Sequence, residues 1–162
     1  MSITGYGIVQ ASEEQVENLT FGGIHARRGA TFAEKLLTIH QGIHQVIQEY
    51  QPDFCAVEEV FYHQNQKTAI VMAHARAAAM LAAARNGIPV AEYSPREVKM
   101  SIVGNGNASK VQIQAMVKNI LHLPEVPQPE DAADALAVAL CHFHRLRFQT
   151  LTRQENRNRK KR

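Results

Sequence analysis

Several acidic side chains lie where acids are unusual, and they indicate metal chemistry. Glu58 and Glu59 lie inside the segment FCAVEEVF, whose apolar and β-branched residues predict a strand. Successive strand residues point to opposite faces, so one of the two glutamates faces a helix layer or a cleft at the strand end. A carboxylate in a central strand is costly unless it has a partner, and a divalent cation is a suitable one.

A second acidic cluster, Glu130-Asp131-Ala132-Ala133-Asp134, precedes the apolar run ALAVALCHF. Asp131 and Asp134 are three residues apart, so they share one face of the predicted helix. The alternative is that these acids only stabilise the helix dipole, by about 0.3–1 kcal/mol each. That alternative suits Glu130 better than Asp134, which lies deeper in the helix. The residue types alone leave both interpretations open, and an oxygen-rich set of this kind suits Mg²⁺ or Mn²⁺.

The surrounding pattern predicts the elements that position these acids. The predicted strands are 3–10, 18–26, 54–61 and 88–93, and the predicted helices are 32–50, 66–86, 95–103, 110–122 and 130–147. Ser94 and Ser109 are the expected caps of two of these helices. A hairpin followed by alternating helices and strands indicates an α/β fold, with a mixed sheet flanked by helices.

Length and composition exclude two broad classes of protein. The chain has 162 residues, of which 45% are hydrophobic and 20% charged, so it is not a wholly disordered chain. Its apolar runs fall short of the roughly 18 residues of a membrane-spanning helix. Cys55 and Cys141 lie in apolar stretches, which predicts free thiols in a reducing compartment, the cytoplasm.

The net charge of +3 comes from the end of the chain. Residues 153–162 hold six Lys or Arg and one Glu, whereas residues 1–152 hold 12 basic and 14 acidic residues. We therefore expect a single domain over 1–150 and a basic, disordered tail over 151–162. Such a tail either binds nucleic acid or is simply solvated.

The order of motifs resembles the RuvC family of Holliday-junction resolvases, within the RNase H-like superfamily. The segments that resemble the family are TGYG at 4–7, QPDFCAVEEVF at 51–61, AHARAAA at 73–79, PVAEYSPREVKMSIVGNGNASKVQIQAMV at 89–117 and DAADALAVALCHFH at 131–144. They follow one another across nearly the whole chain. The resemblance implies an RNase H-like fold and metal-dependent hydrolysis of DNA phosphodiesters in recombination and repair.

The resemblance also implies roles for individual residues. Glu58, Asp131 and Asp134 match metal ligands of the family, and the implied cofactors are two Mg²⁺ ions, with Mn²⁺ as a substitute. Glu59 matches a variable position and is expected to be a rim acid.

Further matches concern DNA. Lys99 and Lys110 match lysines that contact the backbone near the scissile phosphate, with Lys110 counted among the catalytic residues; the alternative is two surface lysines at helix starts. Phe61 matches an aromatic residue that stacks on a base, with core packing as the alternative and Tyr62 as a neighbouring candidate.

The family resemblance implies four-way junction DNA as the substrate, a homodimer and branch-migration proteins as partners. Symmetric cuts in one junction require two sites related by a two-fold axis. One family feature is absent: the strand with Gly-x-Asp-Pro-Gly expected before TGYG, whose Asp is a metal ligand. We therefore expect an N-terminally incomplete chain lacking its first strand. The functional alternatives are a catalytically inactive protein that binds branched DNA, and another RNase H-like nuclease with a different substrate.

Overall fold

A computed structural model describes residues 3–12, 15–60 and 66–159, with side chains up to residue 153. The described chain contains four strands and five helices, beginning with two strands and ending with three helices. Their bounds are β1 Ile3–Ala11, β2 Val16–His25, α1 Phe32–Tyr50, β3 Cys55–Glu58, α2 Gln66–Arg85, β4 Val90–Tyr93, α3 Pro95–Val103, α4 Lys110–Ile120 and α5 Glu130–Arg159. The predicted α/β class is confirmed, and Glu59 falls just beyond the strand in which it was expected.

The strands of the described chain form two sheets of two strands each. β1 and β2 are antiparallel, with Ile3 opposite His25 and Gly5 opposite Gly23. β3 and β4 are parallel, with Glu58 opposite Tyr93. Within the described residues, the parallel and antiparallel strand pairs expected of a mixed sheet are both present, as two separate pairs. Helix α5 packs against all four strands and holds the two sheets together.

Helix α5 forms the centre of the core. Five of its residues are at most 1% exposed, namely Ala132, Ala133, Leu136, Ala137 and Leu140. Around them pack buried residues of β4, α3 and α4, including Tyr93, Val98, Ile113 and Val117. The small residues at the start of α5 allow close packing against the strands.

The end of α5 corrects the predicted boundary. A helix ending near residue 147 was expected, but α5 continues to Arg159, into the segment predicted to be a disordered tail. Residues 145–159 contain no Gly or Pro and several good helix formers, so nothing in the local sequence stops the helix.

Side-chain caps fix three of the helix starts. Thr31, Ser94 and Ser109 accept hydrogen bonds from the backbone N–H three residues later, and Glu34, Glu97 and Gln112 reach back to the cap residues. These capping boxes satisfy backbone donors that have no partner within the helix. The predicted caps Ser94 and Ser109 are confirmed.

Candidate active site

Glu58 is the last residue of β3 and lies on the face of the strand that meets α5. Its partner in the register, Tyr93, is 3% exposed and belongs to the core beneath α5. The Glu58 side chain reaches solvent at the strand end, yet its carboxyl group is partly desolvated. Burial is the main reason that the pKa of Glu58 is raised, and the charge of Asp134 raises it further. Lys99 and Lys110 act in the opposite direction.

Two glycines of β1 let the start of α5 approach the strand. A Cβ atom at Gly5 would overlap the backbone carbonyl of Asp131 and lie 2.6 Å from the amide nitrogen of Ala132. A Cβ atom at Gly7 would lie 2.6 Å from Cδ2 of Leu136. Residues 5 and 7 share one face of the strand, so the two glycines leave this face without side chains and the acidic first turn of α5 packs directly against the backbone.

Lys110 links the starts of α4 and α5. Its Nζ lies 3.0 Å from Oε2 of Glu130 and 3.1 Å from Oδ2 of Asp134. Burial alone would lower the pKa of Lys110, but the hydrogen bonds to the two carboxylates outweigh it and raise the pKa. All three side chains are about half exposed, at 49%, 64% and 46%, so the contacts exchange readily with solvent or with another anion.

The structure brings together four of the residues predicted from the sequence: Glu58, Asp134, Lys99 and Lys110. Asp131 lies on the same turn of α5, but its structural contact is through its backbone, against Gly5. Phe61 and Tyr62 lie outside the described residues. Within the described ranges, no group of three or more His, Cys, Asp or Glu side chains is close enough to hold a metal ion. The predicted metal set therefore stays a prediction.

Sequence reasoning missed the role of Glu130, which was interpreted as an acid that only stabilises the helix dipole. Glu130 is the first residue of α5 and Lys110 is the first residue of α4, so opposite charges begin two helices that pack together. Their contact depends on the tertiary packing of α4 against α5, which local spacing does not reveal.

Comparison with known proteins assigns the family. Residues 1–142 match the family described as Crossover junction endodeoxyribonuclease RuvC. The chain belongs to the RuvC family. It is 45% identical over 141 residues to the RuvC of Desulforamulus reducens, covering 87% of this chain and 86% of that protein. It is 47% identical over 141 residues to the RuvC of Moorella thermoacetica, covering 87% and 84%.

Solved RuvC structures share the fold. The Thermus thermophilus RuvC structure superposes with a TM-score of 0.82 at 31% identity, covering 92% of this chain and 95% of that chain. A second structure, T. thermophilus RuvC in complex with Holliday junction substrate, gives a TM-score of 0.84, also at 31% identity, and covers 92% and 94%. The fold is thus the RNase H-like fold of RuvC. Within the described residues, no helix is both long and apolar enough to cross a membrane.

Proposed function

We propose that this chain is a crossover junction endonuclease that resolves four-way DNA junctions by metal-dependent hydrolysis of phosphodiester bonds. The observation that carries the proposal is the meeting of Glu58 and Asp134 with Lys99 and Lys110, where β3 ends and α4 and α5 begin. Carboxylates suit divalent cations, and the adjacent lysines suit DNA phosphates. Membership of the RuvC family and the likeness to a junction-bound RuvC support the substrate.

The residues present fit part of a divalent-cation site. Two carboxylates close enough for Asp134 to raise the pKa of Glu58 are destabilised together and favour a cation between them. Both supply oxygen ligands, which favours Mg²⁺ with Mn²⁺ as a substitute. We place Glu58 and Asp134 in this site and add Asp131 as a further ligand, on the exposed first turn of α5. Two bound ions would supply an activated water and stabilise charge on the phosphate.

Lys110 has the central role among the side chains of this chain. Its ammonium now neutralises Glu130 and Asp134, at distances of 3.0 and 3.1 Å. If Asp134 held a cation, Lys110 would be free to contact a DNA phosphate at the site. Lys99, which also lowers the pKa of Glu58, contacts the DNA backbone beside it. We assign Phe61, which follows the strand of Glu58, to stacking on a base near the crossover.

A homodimer through α2 suits the reaction. Three large apolar residues of α2 are exposed, with Ile70 and Leu81 at 57% and Met72 at 42%. Ile70 and Leu81 are eleven residues apart, three helical turns, and therefore lie on the same face. Pairing this face with a second copy would bury it and place two active sites in one assembly. Sedimentation of Ile70→Asp with Leu81→Asp, compared with the wild type, tests the dimer; an unchanged mass contradicts it.

Branch-migration proteins that act on the same junction are the proposed partner class. The proposed location is the cytoplasm, which suits the two free cysteines, Cys55 and Cys141.

The deciding experiment is cleavage of a mobile four-way junction with and without Mg²⁺. We expect symmetric nicks from the wild type, and binding without nicks from Glu58→Gln. A parallel sample adds an N-terminal strand with the Gly-x-Asp-Pro-Gly segment expected from the sequence. Junction binding without nicks in both chains would leave the alternative of an inactive junction-binding protein and refute the endonuclease. Cleavage that survives Glu58→Gln would refute the ligand assignment.

A further inference from the structure

The turn between β2 and α1 exposes two adjacent arginines, Arg27 and Arg28, which the proposed mechanism does not use. The turn is closed by a hydrogen bond that the Ala30 N–H donates to the carbonyl of Arg27, at 3.1 Å. Gly29 has φ +80° and supplies the left-handed residue that the turn requires. Among the described residues, neither arginine makes an ion pair.

The nearest acid along the chain does not balance these charges. Glu34 accepts hydrogen bonds from the backbone N–H and the hydroxyl of Thr31, at 2.6 and 2.8 Å. These bonds lower the pKa of Glu34 and commit its carboxylate to the cap of α1. Arg27 and Arg28 therefore keep their charge and hydrogen-bond donors available to a ligand.

The β1–β2 register locates this turn at the same end of the molecule as the active site. Gly5, which supports the carbonyl of Asp131, is opposite Gly23, and Gly23 also lies against Pro129 just before α5. Arg27 is only four residues beyond Gly23, a reach of at most ~13 Å at about 3.3 Å per residue. His74, in the first half of α2, lies near the same end, since Phe32 at the start of α1 makes an edge contact with it at a ring separation of 5.4 Å.

The end of the molecule that holds the active site is rich in acidic side chains, so DNA bound there benefits from a further cationic contact. Glu58, Glu130, Asp131 and Asp134 repel phosphates, and Lys110 is already engaged with two of them. A cationic group beside such an acidic centre holds the DNA backbone while the centre itself binds cations.

We infer that Arg27 and Arg28 form a second phosphate-binding site, which holds the backbone of the DNA substrate at the same end of the molecule as the proposed metal-binding acids. The inference rests on the proposed function, because DNA is the ligand in both. Guanidinium groups pair with phosphate oxygens through two parallel hydrogen bonds, which suits two exposed arginines that form no ion pair with any other described residue.

The test is the salt dependence of junction binding, measured by fluorescence anisotropy without divalent cations from 50 to 200 mM KCl. Removing two phosphate contacts lowers the slope of log K against log salt by about 1.8. Between 50 and 200 mM KCl, the affinity of the Arg27→Ala, Arg28→Ala variant should therefore fall by a factor that is ~12 times smaller than the factor for the wild type. The matched control, Arg85→Ala with Lys118→Ala, removes the same charge near the far ends of α2 and α4 and should keep the wild-type slope. Circular dichroism checks that all variants are folded.

Three results distinguish the possibilities. Replacing both arginines by lysine should restore most of the slope, because the charge is retained; a slope equal to that of the alanine variant overturns the inference. A double alanine variant with the slope of the control also overturns it, while the proposed function stands. A wild-type chain that does not bind the junction contradicts the proposed function itself.

Discussion

Gly5→Ala should damage both the stability and the active site, because it separates β1 from α5. The new Cβ atom would lie 2.6 Å from the amide nitrogen of Ala132, whereas ordinary contact begins near 3.4 Å. The carbonyl of Asp131 lies closer still, so the first turn of α5 must move by more than ~0.8 Å. Since the obstacle is backbone, no side-chain rotation relieves it.

The expected cost follows from this displacement. Overpacking of this kind destabilises by about 1–3 kcal/mol, which for a domain of this size lowers Tm by roughly 2–12 °C. Asp131 and Asp134 move with the turn, and a misplacement near 1 Å costs on the order of 100-fold in rate. Calorimetry and junction cleavage at a temperature where the variant is folded measure the two effects.

Two companion variants make the test specific. Gly106→Ala places its Cβ atom 3.0 Å from the flexible side chain of Arg96 only, so it should behave almost as the wild type. Gly7→Ala meets the side chain of Leu136, and Leu136→Ala should recover part of its loss. The expected loss of cleavage rate in Gly5→Ala is ~100-fold. If Gly5→Ala instead unfolds at the same temperature as Gly106→Ala and its cleavage rate is within about threefold of that variant, the close contact between β1 and α5 does not position the acids.

Three further predictions concern charge. Because the pKa of Glu58 is raised, its charged form destabilises the fold at pH values above its ordinary pKa, so Glu58→Gln should raise the metal-free Tm at pH 7.5 but not near pH 4. Mg²⁺ should raise the Tm of the wild type more than that of the variant, and equal shifts would contradict the ligand assignment. Burial lowers the pKa of His142 and His144, so stability should fall as pH drops below about 6.5. Replacing both histidines with Gln should weaken this fall. Deleting residues 153–162 should flatten the salt dependence of junction binding, because it removes six basic residues and one acidic residue; an unchanged slope would mean a merely solvated helix end.

Local patterns were enough to predict most elements of the fold. The helix predicted over 32–50 and the Ser94 and Ser109 caps depend on residues three or four apart, and the structure places these elements as expected. The predicted end of α5, near residue 147, was wrong because a charged, helix-forming segment has the same sequence pattern whether it is a tail or the continuation of a helix.

The site was harder to predict because it depends on distances between elements. The acid types suggested a cation, but the contact between Lys110 and Glu130 requires two helix starts to meet in space. The role of Gly5 was missed for the same reason, since nothing near it in sequence shows that the backbone of Asp131 lies against it. The spacing of charges and glycines identified the candidates, whereas packing decided which of them touch.

The capping boxes of α3 and α4 determine how an anion can be held beside the acids. The N–H groups of Glu97 and Gln112 are already hydrogen-bonded to Ser94 and Ser109, at 3.2 and 3.3 Å. These helix ends therefore offer fewer free amides to hold a phosphate rigidly, which leaves the proposed phosphate contacts to Lys99 and Lys110, whose charges lie at the ends of long flexible side chains. Flexible side chains of this kind can stay in contact with a phosphate that occupies several positions. Adjustable phosphate contacts suit a branch point, where strands cross at variable angles and migrate, better than they suit a fixed duplex.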